Sequence, residues 1–554
     1  MARANSDNFS ISSSTRSLKA FIHELHFASE MSEDTTEQPV TIVSENTEVV
    51  SGTAVQEKLI LAARVFSDLL KPTFGPKGLD KMMYKTDGSN AVTNDGSKII
   101  SELLVKHPAA KMMVSMAESQ EEACGDGVTT TMLICGSLLI EANTLMRKGI
   151  NPLKIVDGFR LALDISKSQI VRDEKLPDNE TLIQVAKTAL VGKNTTSSSK
   201  IFSPIIVEAL QTISKNREYA LAEHVSMYKS RKGGISDSKL IKGIVINRRI
   251  LLDSLPNNIS DCKIVCLDSD IKIRELTRNT EIKITSADNL DTFIEEQRNR
   301  KKQISDSIFE SGINAIFCSG EIDKEILHSL ADLGIICIGE LDSSELRNLS
   351  QAVGAKIIET PLDIHDSDIG ECGIFSWERR EQSDKVEDIV RVENCKSPSI
   401  VTIEVGGGED VVVEEIVRGI HDALRSTSLS MKSKVVSGAG SIHSSMAQAV
   451  RDEAEKFGGK ERLAMEAYSR ALESIPSTLV ENSGGDPLDR ILELRAATMK
   501  GTDTFGISPK GDVVKVDGVW HPSLVIENSI ESATETAISM LRIDQVISSK
   551  NTQS

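Results

Sequence analysis

Three short loops carry residue types that suit a nucleotide and its metal. The first, Thr73-Phe74-Gly75-Pro76-Lys77-Gly78, follows a helical stretch. Its glycines let backbone N–H groups approach phosphate oxygens, and Lys77 adds a positive charge. It is not a Walker A sequence, because no Lys-Ser or Lys-Thr follows the glycines at the required spacing, and alone it reads as a turn. The second loop is Thr93-Asn94-Asp95-Gly96. The third, Gly125-Asp126-Gly127-Val128-Thr129-Thr130-Thr131, opens a helix, whose free N–H groups and partial positive charge favour phosphate. Hydroxyls of Thr129 and Thr130 add hydrogen bonds, and Asp126 supplies the hard oxygen that Mg²⁺ prefers. The competing reading of Asp126 is an ordinary helix N-cap. Any one loop fits a turn; the three together point to a nucleotide.

The elements that must position these loops follow from periodicity. Ala54, Leu59, Ala62, Ala63, Phe66, Leu69 and Leu70 form one apolar helical face, which Lys71-Pro72 ends. Helices are expected at about 108–121 and 128–147, and another follows the stop signal Lys148-Gly149-Ile150-Asn151-Pro152. The middle changes character. Ile244-Val245-Ile246, Lys263-Ile264-Val265-Cys266-Leu267, Ala315-Ile316-Phe317-Cys318 and Ile335-Ile336-Cys337-Ile338 are short apolar runs, as expected of buried strands. Helical stretches between them make 244–400 an α/β domain. Within it, 282–311 is highly charged and reads as a solvated helix face. After about 412 the pattern is helical again, through Leu424, then about 440–456, 461–480 and 486–499. A hairpin at Ile507–Val516 and a last helix ending at Ile547 complete the chain. Helical ends enclosing an α/β middle predict a multidomain α and α/β fold in which one domain is inserted into another.

Composition excludes several function classes. A chain of 554 residues predicts two to four domains. Aromatics are only 3%, with Trp377 and Trp520 the sole tryptophans, and the net charge is −18, so neither base stacking nor phosphate-backbone binding fits and no nucleic-acid partner is expected. Cys124, Cys135, Cys262, Cys266, Cys318, Cys337, Cys372 and Cys395 lack the paired spacing of a zinc site and read as small buried hydrophobes in a reducing compartment. No apolar run approaching the roughly 20 residues of a membrane span is apparent, so no membrane partner is expected. Residues 1–40 are Ser/Thr-rich, with one amphipathic patch at Leu18–Leu25 and no convincing signal peptide; disorder is the expectation, and Met31 is a candidate alternative start.

Longer motifs make a family visible. Gly75-Pro76-Lys77-Gly78-Leu79-Asp80-Lys81-Met82, Thr93-Asn94-Asp95-Gly96, His107-Pro108-Ala109-Ala110-Lys111 and Gly125-Asp126-Gly127 occur in the order and spacing of group II chaperonins. Leu479-Val480-Glu481-Asn482, Asp486-Pro487 and Leu541-Arg542-Ile543-Asp544 extend the match over about residues 45–548. The chain therefore resembles the archaeal thermosome type, related to the eukaryotic cytosolic chaperonin. The resemblance implies an equatorial ATP-binding domain (41–178 and 438–548), an intermediate hinge domain (179–243 and 401–437) and an apical domain (244–400), with a tail at 549–554. It also implies a helical protrusion between Asp268 and Ile313 that acts as a built-in lid.

Site roles follow from the same resemblance. Asp95 is similar to the carboxylate near metal and attacking water, and Asp126 to the Mg²⁺ ligand. Asp422, in His421-Asp422-Ala423-Leu424-Arg425, resembles the aspartate that the hinge domain swings onto the nucleotide to orient or deprotonate water. On spacing alone it is a solvated helix residue. Gly75, Pro76, Lys77, Asn94, Gly96, Gly125, Gly127, Thr129 and Thr130 would line the phosphates, and Lys193 resembles a γ-phosphate sensor. Gly438 and Gly440 match the loop passing ribose and base, and Asp517 an acidic residue near that ring, in a segment shortened here.

Three positions depart from the family pattern. Lys98 replaces a phosphate-facing hydroxyl residue, Val128 the first Thr after Gly-Asp-Gly, and Ala439 a glycine of the Pro-Gly-Gly-Gly loop. The resemblance implies an ATPase using ATP and Mg²⁺ to close a cytoplasmic double ring of identical or different like subunits around non-native proteins, its rate weakened by these changes. The alternative is an ATPase-poor structural subunit of a mixed ring. A small-molecule phosphotransferase is a weak third reading, since no acceptor pocket motif is evident.

Overall fold

A computed structural model of the chain describes residues 47–549 except 52, 85–89, 106, 192–197, 231–232, 251, 253–254, 274–286, 383–384, 408–410 and 502. The expected disorder of 1–40, the possible start at Met31 and the Lys193 assignment lie outside the described residues.

The first helices are α1 (Thr53–Leu70), α2 (Gly96–Ser101), α3 (Pro108–Cys124), α4 (Val128–Arg147) and α5 (Pro152–Asp173). Each of α3 and α5 starts on a capping side chain followed by proline: His107 Nδ1 accepts from Ala109 N at 3.3 Å, and Asn151 Oδ1 from Leu153 N at 2.8 Å. Helix α4 is apolar nearly all round, with Thr131 through Gly136, Leu138, Leu139, Ala142 and Leu145 buried. It is 20 residues long and apolar enough by length and composition to span a bilayer, which corrects the sequence expectation. Its 61% burial is that of a core helix.

Next come α6 (Asn179–Leu190) and α7 (Ser199–Ser214), then a mixed seven-stranded sheet. Its order is Ile244–Asn247, Lys385–Cys395, Gly370–Gln382, Asn258–Leu267, Ala315–Cys318, Ile336–Ile338, with Ile357–Ile358 also pairing on Asn258–Leu267. All four apolar runs singled out in the sequence are strands of this sheet. Helices α8 (Ala287–Glu310), α9 (Lys324–Asp332) and α10 (Ser343–Val353) accompany it. The charged stretch is α8. Its residues 291–300 are almost all exposed, while Ile304 and Ile308 bury the C-terminal turns and Lys301 bridges Asp323 at 2.9 Å. Phe317 and Phe375 meet edge-to-face in the sheet core at 6.3 Å, Phe375 fully buried. Phe375→Ala should therefore cost about 3–5 kcal/mol. The check is lost amide-exchange protection in strand 258–267; unchanged protection would place the packing energy elsewhere.

A small sheet, with Val401–Gly406 central between Val225–Ser230 and Lys239–Ile241, precedes α11 (Val411–Lys432). Then follow α12 (Ser441–Ala454), α13 (Lys460–Leu472), α14 (Ser474–Asn482), α15 (Pro487–Met499) and α16 (Ser523–Leu541). These late helices pack on the early ones. Tyr468 of α13 meets Phe159 of α5 at 5.7 Å and shares a 2.9 Å hydrogen bond with Thr534 of α16, while Arg470 reaches Glu141 of α4 at 2.6 Å. The last helix ends at Leu541, not Ile547. Residues Gln545–Ser549 form instead a strand, antiparallel to Thr47–Ser51, with Thr47 opposite Ser549. All eight cysteines are buried and free, and no metal-binding group of His, Cys, Asp or Glu occurs among the described residues.

Candidate nucleotide and magnesium site

The junction of α3 and α4 is built on left-handed glycines. Gly125 ends α3 at φ 64° and Gly127 starts α4 at φ 87°. A Cβ at Gly127 would stand 2.8–2.9 Å from Ser529 Oγ, Gln120 Nε2 and Val525 Cγ1, so only glycine fits. Gly127 is the N-cap, which sets aside the N-cap reading of Asp126. The Asp126 carbonyl accepts from buried Gln120 Nε2 at 2.8 Å, and Asn528 Nδ2 in turn donates to Gln120 Oε1 at 3.0 Å. The Asp126 carboxylate accepts from Gly127 N at 2.6 Å through Oδ1 and from Ser426 Oγ at 2.9 Å through Oδ2.

The second loop lies against the first turn of α4. A Cβ at Gly96 would collide with Thr129 Oγ1, and it would stand 3.4 Å from Thr129 N. Asp95 N-caps α2, its Oδ1 accepting from Ser97 N at 3.0 Å, while its own N–H donates to Thr93 Oγ1 at 3.1 Å. Strand Lys81–Tyr84 pairs with Asn90–Thr93, Lys81 opposite Thr93, so the Gly75–Gly78 turn and the Asn94–Gly96 loop flank one end of a hairpin. Asn482 fixes that turn: its Nδ2 donates to the carbonyls of Lys71 and Phe74, each at 2.8 Å. Pro76 and Lys77 are exposed beside it.

The glycine loop at 437–440 packs on the segment around Val519 and His521. Gly438 N donates to Val519 O at 2.8 Å, and a Cβ there would be 2.8 and 2.9 Å from His521 Cδ2 and Nε2. Burial pushes His521 below the usual imidazole range, opposed by the negative charge of Asp126. Gly440 has φ 76° and starts α12, and Ala439 is held at φ 55° with its carbonyl accepting from Ile507 N at 2.9 Å. Asp517 is an exposed residue near Lys515, two positions before Val519, and nothing places its carboxylate against Gly438. The ring of His521 packs against that glycine.

Helix α11 brings Asp422. Asp422 is half-buried one turn before Ser426, whose hydroxyl touches Asp126, and Arg425 pairs with Glu121 at 2.8 Å. A Cβ at Gly125 would strike Arg425 Cδ, so α11 lies directly on the loop. The structure thus gathers Asp126, Gly125, Gly127, Thr129, Thr130, Gly96 and the Asp95 loop, with Gly438 and α11 close by. Sequence reasoning missed Gln120, Ser426 and His521. Only Ser426 had a signal, its four-residue spacing from Asp422.

The donor set fits a magnesium nucleotide. A carboxylate oxygen keeps acceptor capacity after one hydrogen bond, and Asp126 immediately precedes a helix N-terminus whose free N–H groups suit phosphate.

Residues 66–551 match the TCP-1/cpn60 chaperonin family. The chain is 38% identical to thermosome subunit alpha of Archaeoglobus fulgidus, covering 92% of this chain and 95% of that protein. It is 36% identical to the thermosome subunit of Methanopyrus kandleri and 34% identical to thermosome subunit alpha of Thermoplasma acidophilum, in both cases covering 92% and 95%. The chain belongs to the TCP-1/cpn60 chaperonin family.

Proposed function

We propose that this chain is an ATP-dependent chaperone subunit that closes a ring cavity around non-native proteins. The observation carrying this reading is the contact of a hinge-helix residue, Ser426, with the Asp126 carboxylate at the α4 N-terminus. It joins a phosphate- and metal-type loop to α11, the helix that carries Asp422. Asp126 would hold Mg²⁺, which neutralises developing phosphate charge. Backbone N–H groups at 127–130 and the Thr129 and Thr130 hydroxyls would bind phosphate, and Asp95 would orient water with Asp422. The Gly75–Lys77 turn and Asn94 would border the phosphates, with Lys193 as sensor, and Gly438 and Gly440 would pass the ribose. The segments 41–178 with 438–548, 179–243 with 401–437, and 244–400 would act as equatorial, intermediate and apical domains of a cytoplasmic double ring of like subunits.

A weaker-ATPase structural subunit is favoured by one observation, the non-glycine Ala439 at φ 55°, a conformation that costs a side-chain-bearing residue roughly 1–2 kcal/mol. Val128 argues less for it: its side chain is 4% exposed and packed in the core.

The test is phosphate release by the purified chain with ATP, with and without Mg²⁺. Turnover should require the metal, and Asp126→Ala should lower it by roughly 10²-fold or more, as expected when a metal carboxylate is lost. Metal-independent or absent turnover in the parent chain would defeat the reading.

A further inference from the structure

Two residues on the hinge helix grip the Gly-Asp-Gly loop, and no role has been given to either. Ser426 Oγ donates to Asp126 Oδ2 at 2.9 Å, and Ser426 is only 1% exposed. Its hydroxyl also lies within a helix whose Asp422 is one turn earlier on the same face. Arg425 runs its aliphatic stem over Gly125, in the space a Cβ would fill, and ends on Glu121 at 2.8 Å. The other carboxylate oxygen of Asp126 is oriented by Gly127 N at 2.6 Å. The carboxylate plane is therefore set by two donors from different parts of the chain: its own loop and α11.

We infer that Ser426 is a positioning residue that orients the Asp126 carboxylate for its metal and ties that orientation to the placement of α11, hence of Asp422. The inference rests on the proposed magnesium role of Asp126. Hydrogen-bonded partners of ligating carboxylates fix the ligand's orientation, and their loss typically weakens metal affinity or activity by roughly 10–100-fold. A hydroxyl can do this without a charge of its own, and it leaves Asp126 Oδ2 a lone pair for the cation. Displacing α11 from the loop would break the bond and loosen the carboxylate. Metal binding and helix docking then favour each other, as reciprocity between coupled binding events requires. Arg425 contributes lateral grip, weakened by solvent because its side chain is 33% exposed.

The test uses Ser426→Thr and Ser426→Val in the full chain, two side chains of nearly equal shape that differ in the hydroxyl. In nucleotide-free protein, amide exchange of Gly125–Thr129 should be faster in Ser426→Val than in Ser426→Thr. Calorimetric titration of ADP at rising Mg²⁺ should show an apparent magnesium affinity weakened about 10-fold in Ser426→Val, with Ser426→Thr close to the parent and ADP binding in EDTA equal in all three. Equal loop exchange and equal magnesium affinity in the two variants would overturn the inference. A parent chain that binds ADP no better with Mg²⁺ than without would overturn the magnesium reading of Asp126, whatever the exchange data show.

Discussion

Asp422→Ala should lower steady-state ATP turnover by roughly 10²–10⁴-fold, the range a positioned general base supplies, while magnesium-nucleotide binding holds. The expectation is geometric before it is chemical. Asp422 lies on α11, four residues from Ser426, and Ser426 touches the Asp126 carboxylate. One helical turn is about 5.4 Å and α11 already lies on the loop, so Asp422 stands within reach of a water held beside a phosphate there. A group that acts only on the attacking water contributes in the transition state and little to ground-state binding. The signature is therefore a fall in kcat with KM nearly unchanged. Asp422→Asn keeps the shape and removes the basicity, so it should be nearly as slow as Asp422→Ala. Normal turnover in both variants would remove Asp422 from the chemistry and leave α11 a purely structural partner of the loop.

How much of this was legible in the sequence depended on whether a feature was local. The Gly-Asp-Gly loop and the Thr-Asn-Asp-Gly loop stood out because glycine, aspartate and threonine at a helix start have few roles. The four apolar runs of the large sheet stood out because most of their side chains are buried. The long ribbon of Gly370–Gln382 and Lys385–Cys395 did not. Its Glu378-Arg379-Arg380-Glu381 stretch has no apolar alternation, and Arg379 finds distant partners, fully buried Asp388 across the ribbon at 2.8 Å and the Ile250 carbonyl at 2.7 Å. The end of the last helix was misplaced for a related reason. Val546 and Ile547 continue an apolar pattern, but their partners are Val50 and Val49, at the other end of the chain. Ser426 carried almost no local signal. A serine inside a helix is bland until its neighbour 300 positions away is known.

His443 gives the second large effect, and its direction is opposite to that of most buried ion pairs with a histidine. It is the third residue of α12, 4% exposed, and neither ring nitrogen has a hydrogen-bond partner. Burial pushes its imidazole down to about 3, and the nearby imidazole of His521 acts in the same direction. In the unfolded chain the same group titrates near its ordinary value of 6.5. As the pH falls below 6.5, the unfolded chain takes up a proton that the folded protein refuses. Stability is therefore fully present above that point, and it is lost at about 1.4 kcal/mol per pH unit until the folded group itself titrates. His443→Leu removes the linkage and also two unsatisfied buried nitrogens, each worth about 1–3 kcal/mol when left unpaired. Between pH 6.5 and 4.5 the parent should lose roughly 2–3 kcal/mol more than His443→Leu, read as amide-exchange protection in α12. Parallel losses in the two proteins would mean that His443 is protonated in the fold, which a ring so enclosed and unpartnered could sustain only by opening the segment around Gly438 and His521.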